Sequence, residues 1–262
     1  MNILVCIKQV PGTNKVKIDP ATGVLKRGGV DSKMNPYDLY AIETALRIRE
    51  KRGGTVSVLT MGPPQAKAVL YEAFAMGADE GALISDRRFG GADVLATSYT
   101  LAQGIRKFGR FDLILCGQQT TDGDTAQVGP EISEWLGLPC VCNVRRLVEI
   151  GGDSVVVEME MFRDVEISRV GFPCLLTVAK DICEPRLPSY VKKQRTKDRP
   201  VRVFSLDDMQ DRDETHYGLS GSPTQVQRIF PPVEEKQREL WQAPAPELVG
   251  RLADKLRALK LI

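Results

Sequence analysis

The sequence predicts an α/β fold: a doubly wound, mostly parallel sheet with helices on both faces, an antiparallel β extension and an extended C-terminal arm. Three observations lead there. Short β-branched apolar runs alternate with amphipathic segments up to about residue 180, and such alternation implies parallel strands joined by crossover helices. Between residues 144 and 168 the helical segments drop out, leaving three runs separated by turn residues. From Glu184 onward proline and charge dominate, and periodicity fades until the last residues.

The elements follow in order. Ile3 to Ile7 reads as a first strand. Val16 to Leu25 holds a turn, Asp19-Pro20-Ala21-Thr22-Gly23, between two extended pieces. Pro36 to Arg52 reads as a helix with Leu39, Ile42, Ala45, Leu46 and Ile48 on a helical period, stopped by Gly53-Gly54. Thr55 to Thr60 is the next strand. Pro63-Pro64 opens a helix through Ala75, where proline's missing N–H costs nothing. Gly81 to Ile84 and Phe111 to Cys116 read as strands around a helix from Ala92 to Phe108. A helix is expected from about Thr125 to Leu136, ended by Gly137. Val144 to Ile150, Val155 to Met161 and Val165 to Ser168 read as antiparallel strands, and Leu175 to Val178 as a buried one. Glu247 to Leu259 closes the chain as a helix with Leu248, Leu252, Leu256 and Leu259 on one face. Residues 184–246 have little core of their own, and Ile229-Phe230-Pro231-Pro232 and Trp241 are apolar residues in need of cover, so a partner-wrapping arm is expected.

Bulk properties narrow the chemistry. A net charge of +2 gives no case for a nucleic-acid or membrane-surface partner. No apolar run approaches the roughly 20 residues that cross a bilayer, and the N-terminal run lacks a basic leader. The six cysteines mostly sit in apolar strand-like runs and none forms a CxxC. Buried free thiols point to a reducing compartment, and a cytoplasmic protein is expected. The single histidine, His216, lies in a polar stretch and reads as an ordinary surface residue. Histidine-based triads and His-rich metal sites are thereby disfavoured, and any redox chemistry must come from a bound cofactor.

Ligands in doubly wound sheets bind beyond the carboxyl ends of the strands. Those ends are Cys6-Ile7-Lys8, Thr60-Met61-Gly62-Pro63 and Cys116-Gly117-Gln118-Gln119. The last runs into Thr120-Thr121-Asp122-Gly123-Asp124-Thr125-Ala126-Gln127-Val128. Strand, polar glycine-bearing loop and helix start together make an anion site. The plainer reading is a capping box between Asp124 and Gln127. Two acids beside a phosphate make sense only if their carboxylates turn onto backbone N–H groups or a ribose. Neither GxGxxG nor GxxxxGK[ST] is present. The residues alone support a nucleotide-binding α/β protein with its ligand near 117–128.

Seven segments in order resemble the β subunit of electron-transferring flavoproteins. They are Leu4 to Val10, Met34 to Tyr37, Met61 to Pro63, Ala75 to Asp79, Gly117 to Gln119, Asp122 to Pro130 and Glu184 to Arg186. The resemblance spans nearly the whole chain. It implies a Rossmann-like, adenine-nucleotide-binding domain over residues 1–183 and a partner-binding arm over 184–262. It further implies a heterodimer with a larger α subunit and a nucleotide held by this chain: AMP in respiratory members, FAD in electron-bifurcating ones. Carried over by position, the cofactor contacts are Cys6, Asn35, Pro36, Tyr37, Asp38, Met61 and Gly117 to Val128. Cys6 and Met61 each read more readily as core, and Asn35 equally as a helix cap.

Asp122 to Gly129 and Gly91 to Ser98 look like the bifurcating type, with Thr97 near the flavin or NADH. Gly123 and Ala126 would leave room for a flavin's second phosphate, and Gly221 to Val226 matches the same group. That type implies that NADH reduces a FAD between the subunits. One electron then passes through a second FAD to an acyl-CoA dehydrogenase or similar partner, and the other to a low-potential acceptor such as ferredoxin. No catalytic side chain and no metal ligand is implied. The family's Ile-Met-Lys-Ala-Lys-Lys loop, which recognises dehydrogenases, is replaced here by Tyr190 to Arg199, basic but differently patterned. The alternatives are a respiratory-type subunit holding structural AMP and a stand-alone nucleotide-sensing module.

Overall fold

The computed structural model describes residues 1–12, 32–227 and 238–262. The turn expected within Val16 to Leu25 and the apolar stretch at Ile229 to Pro232 lie outside the described residues. Elements run in the order β1 (Asn2–Cys6), β2 (Gln9–Pro11), β3 (Ser32–Met34), α1 (Pro36–Arg52), β4 (Thr55–Met61), α2 (Lys67–Met76), β5 (Glu80–Ile84), α3 (Val94–Phe108), β6 (Leu113–Gly117), α4 (Val128–Leu136), β7 (Cys140–Ile150), β8 (Ser154–Glu160), β9 (Val165–Gly171), β10 (Cys174–Val178), α5 (Tyr190–Thr196), β11 (Arg202–Phe204) and α6 (Ala245–Ala258).

Nine strands form one sheet in the order β11-β5-β4-β1-β6-β10-β7-β8-β9. All pairings from β11 to β7 are parallel, and only β7-β8 and β8-β9 are antiparallel. The expected doubly wound sheet with an antiparallel extension is therefore present. Strand alternation builds its two faces. Along β1, Ile3 and Val5 enter a core with α1 and α2, whereas Leu4 and Cys6 enter a second core beside α3 and α4. Burial on both sides is why these strands are apolar throughout.

The chain leaves β1 toward β4 and β5, then returns to place β6 on the other side of β1. The strand order reverses there, so a crevice opens between the ends of β1 and β6.

Met1–Gln227 form one compact unit and Arg228–Ile262 a second. The division thus falls after Gln227 rather than after Cys183. Residues 184–227 are not an arm without a core: β11 extends the sheet alongside β5, and Phe204, Leu206, Met209 and Tyr217 are buried in the second core. Arg186 grips the buried Glu43 at 2.7 Å and the exposed Glu50 at 2.6 Å. In the second unit α6 has no buried residue, and Arg251 lies over the Trp241 ring at 4.9 Å.

Candidate functional site

The switch-point crevice is built on two buried polar side chains at the start of α1. Asp38, 4% exposed, accepts the backbone N–H of Lys8 at 2.7 Å and the Asn35 amide Nδ2 at 2.9 Å, and it lies close against Gly117. It ties the ends of β1 and β6 together across the neighbouring Cys6 and Cys116. Burial pushes its pKa up to about 7 despite these donors. The approach requires glycine at 117: a Cβ there would lie 2.5 Å from Asp38 Oδ1 and 2.8 Å from the Tyr37 carbonyl carbon.

Asn35 is fully buried and makes three loop or crevice contacts. Its Nδ2 donates to Asp38 and to the Gln119 carbonyl at 2.9 Å, and its Oδ1 accepts the Thr121 N–H at 3.3 Å. It stands at the N-cap position of α1 but makes no side-chain cap bond. The helix-cap reading is thereby corrected: with Pro36 at the first position lacking an N–H, the side chain is free to brace the loop. Gln119 adds a bond from Nε2 to the Tyr37 hydroxyl at 3.1 Å, and Gln118 N–H one to the Val178 carbonyl at 2.9 Å.

Beyond Thr120 the loop changes character. Residues 121–127 are all exposed, and Asp124 and Ala126 adopt left-handed φ values of 54° and 55°. Such conformations cost about 1–3 kcal/mol each outside glycine and mark a backbone shaped for something other than packing. They also end the expectation of a helix from Thr125. α4 begins at Val128, its N-cap Gln127 makes no side-chain bond, and the Asp124–Gln127 capping box does not form. Asp124 instead gives its own N–H to the Thr120 carbonyl at 3.1 Å. The first turn of α4 is left without a side-chain acceptor and carries the positive end of the helix.

The electrostatic objection to two acids here is half answered. Asp122 Oδ1 accepts the Lys8 ammonium at 2.8 Å. Partial burial raises its pKa, but Lys8 and the Thr120 hydroxyl outweigh that and hold the carboxyl below its usual range. At Gly123 a Cβ would meet only Thr120 Oγ1, at 3.5 Å, so the space over the loop is open. Gly129 is the opposite, since a Cβ there would lie 2.6 Å from Thr177 Cγ2, fixing the start of α4 onto β10.

The sequence-predicted residues Cys6, Asn35 to Asp38 and Gly117 to Val128 therefore converge on one crevice. Cys6 is 9% exposed, and Met61 ends β4 packed against the second core. Thr97 lies in the first turn of α3, donating its N–H to the Asp93 carbonyl at 3.0 Å, with no hydrogen bond to the loop. Lys8, the first charged residue after β1, is not among the residues expected at the site; among the described residues it is the partner of Asp122 from a distant part of the chain. His216 is more than a loose surface residue: Nδ1 lies 2.6 Å from Asp211 Oδ2, which also accepts the Tyr99 hydroxyl at 2.5 Å.

Comparison with known proteins fits this geometry. The family described as "Electron transfer flavoprotein domain" matches residues 22–209. An electron transfer flavoprotein subunit beta from Thermoanaerobacterium thermosaccharolyticum is 46% identical, with both chains covered completely. The chain belongs to the electron transfer flavoprotein β-subunit family. Its similarity extends to a caffeyl-CoA reductase-Etf complex subunit, CarD, from Acetobacterium woodii at 45% identity over the whole of both chains. A Protein FixA from Azorhizobium caulinodans is 40% identical, covering 96% of this chain and 94% of that protein. Among the described residues no cluster of three or more metal ligands occurs, and no helix is long and apolar enough to cross a membrane.

Proposed function

We propose that this chain is the β subunit of an electron-bifurcating electron transfer flavoprotein, holding a FAD in the crevice between β1, β6 and the start of α4. The observation that carries the reading is the loop 121–127: exposed, bent by two left-handed residues, open above Gly123 and leading into a helix start without a side-chain cap. A pyrophosphate fits such a backbone, and the Lys8–Asp122 pair removes one repulsive carboxylate from its path. Asn35 and Asp38 are positioning residues that set the loop's height. Cys6, Met61 and Tyr37 line the approach, and Thr97 stands at the same end of the sheet.

When bound, the flavin supplies the redox chemistry, accepting a hydride from NADH and passing electrons on singly. This chain's residues bind it, orient it and shape the field around it. The partner is an α subunit, with an acyl-CoA dehydrogenase or similar flavin dehydrogenase and ferredoxin as acceptors. The similarity to CarD, named as part of a reductase–Etf complex, supports this branch. An anaerobic titration of the purified heterodimer with NADH tests it. Bleaching of the visible flavin band without added dehydrogenase is expected. A band that NADH leaves untouched, but a reduced dehydrogenase bleaches, would favour the respiratory-type subunit with structural AMP.

A further inference from the structure

Strand β7 opens with Cys140-Val141-Cys142, two thiols on one face of a strand. Their sulfurs are 3.7 Å apart and both side chains are part-exposed. The strand is irregular at this point. Its register against β10 shifts between Leu176 and Val178, and Asn143 takes a left-handed φ of 55°. Thr177 Oγ1 accepts the Asn143 N–H at 3.0 Å and stands beside the Cys142 thiol. A bulge of this kind re-aims side chains and gives the backbone slack. An S–S bond is about 2 Å long, so closure asks the sulfurs to approach by less than about 2 Å.

The two thiols are not equivalent. The contact between the two sulfurs, together with the Thr177 hydroxyl, lowers Cys142 to about 6 despite burial. Cys140 is pushed up in turn, first by its bond to Cys142 and then by burial. The lowered thiol suits the attacking role and the raised one the resolving role. The remaining candidates are quieter. Burial pushes Cys174 up to about 12 and raises Cys183, and Cys116 is raised by its contact with Cys6 and by burial.

We infer that Cys140 and Cys142 form a reversible dithiol–disulfide site that reacts with peroxides. The inference is independent of which nucleotide the chain holds. With hydrogen peroxide the Cys142 thiolate attacks one oxygen. An S–O bond forms, the O–O bond breaks, and the departing hydroxide takes a proton to become water. The Cys140 sulfur then attacks Cys142: the S–S bond forms, the S–O bond breaks, and the Cys140 proton leaves with the second hydroxide as water. Two thiols lose two electrons and one peroxide gains them. A disulfide closed across a single residue is strained, and strained disulfides are the readily reduced ones, so a dithiol reverses the step.

The test uses the purified complex, treated with one equivalent of hydrogen peroxide and cleaved after glutamates. The peptide 135–149 contains these two cysteines and no others. It should lose the mass of two hydrogens and regain it with dithiothreitol. In a maleimide pulse at neutral pH, Cys142 should label on the order of tenfold faster than Cys183. Cys140→Ser should leave Cys142 as a sulfenic acid trapped by dimedone, and Cys142→Ser should abolish oxidation of the peptide while circular dichroism stays unchanged. A peptide that stays reduced while other cysteines oxidise, or labelling of Cys142 no faster than that of Cys183, overturns the inference.

Discussion

The loop from Gly117 to Gln127 has two halves that are built differently. The base, 117–121, is tied to buried residues: Asn35 holds Gln119 and Thr121, Gly117 packs against Asp38, and Gln118 reaches β10. Among the described residues the tip, 122–127, has one ion pair to a distant residue and otherwise bonds to its own neighbours. Buried hydrogen bonds are costly to break because the partner is left dry and unpaired, whereas exposed pairs exchange readily with water. The base therefore positions the loop, and the tip remains available. A site for a charged ligand needs both.

Substitutions can break this contrast, the harshest at the base. Gly117→Ala drives a methyl against Asp38 and the backbone of Tyr37. It should cost about 3 kcal/mol or more, since the backbone cannot step aside cheaply, and denaturant midpoints will show it. Asn35→Ala keeps the shape but strands Asp38, the Gln119 carbonyl and the Thr121 N–H. A loss of about 2 kcal/mol is expected, together with release of bound nucleotide on gel filtration.

Asp38 adds a pH signature. Its folded pKa of about 7 lies above the unfolded 3.8, so the folded state binds more protons between those values. Its contribution is fully present below about pH 4 and is lost as pH rises through about 7. Asp38→Asn should flatten that decline in midpoints measured from pH 4 to 8. The smallest effect belongs to the tip. Lys8→Met removes a pair whose side chains are 44% and 31% exposed and should cost under about 1 kcal/mol. It should still weaken nucleotide retention several-fold, because Asp122 is left uncompensated beside the anion. Equal stability losses at base and tip would contradict the distinction.

The sheet, its helices and the loop's address were legible because each rests on local pattern: alternation in β1, helical period in α1, a polar glycine-bearing run after β6. The bracing was not. Asn35 meets its loop partners across 84 and 86 residues of sequence, and nothing local separates that role from a helix cap. The Asp124–Gln127 spacing was misleading because left-handed backbone at Asp124 and Ala126 leaves no mark in residue type. Residues 184–227 hid their core because its anchors, Phe204, Leu206, Met209 and Tyr217, stand singly among charges. They share one cluster with Ala82 and Ile84 of β5 and Leu101, Ile105 and Phe108 of α3, contacts that no periodic pattern announces.

We propose that the tip of this loop holds a flavin rather than an adenine mononucleotide. The direct measurement is the cofactor content of the purified heterodimer, released by denaturation and separated by chromatography. Two FAD per heterodimer and no AMP is the predicted result. One FAD with one AMP would contradict it.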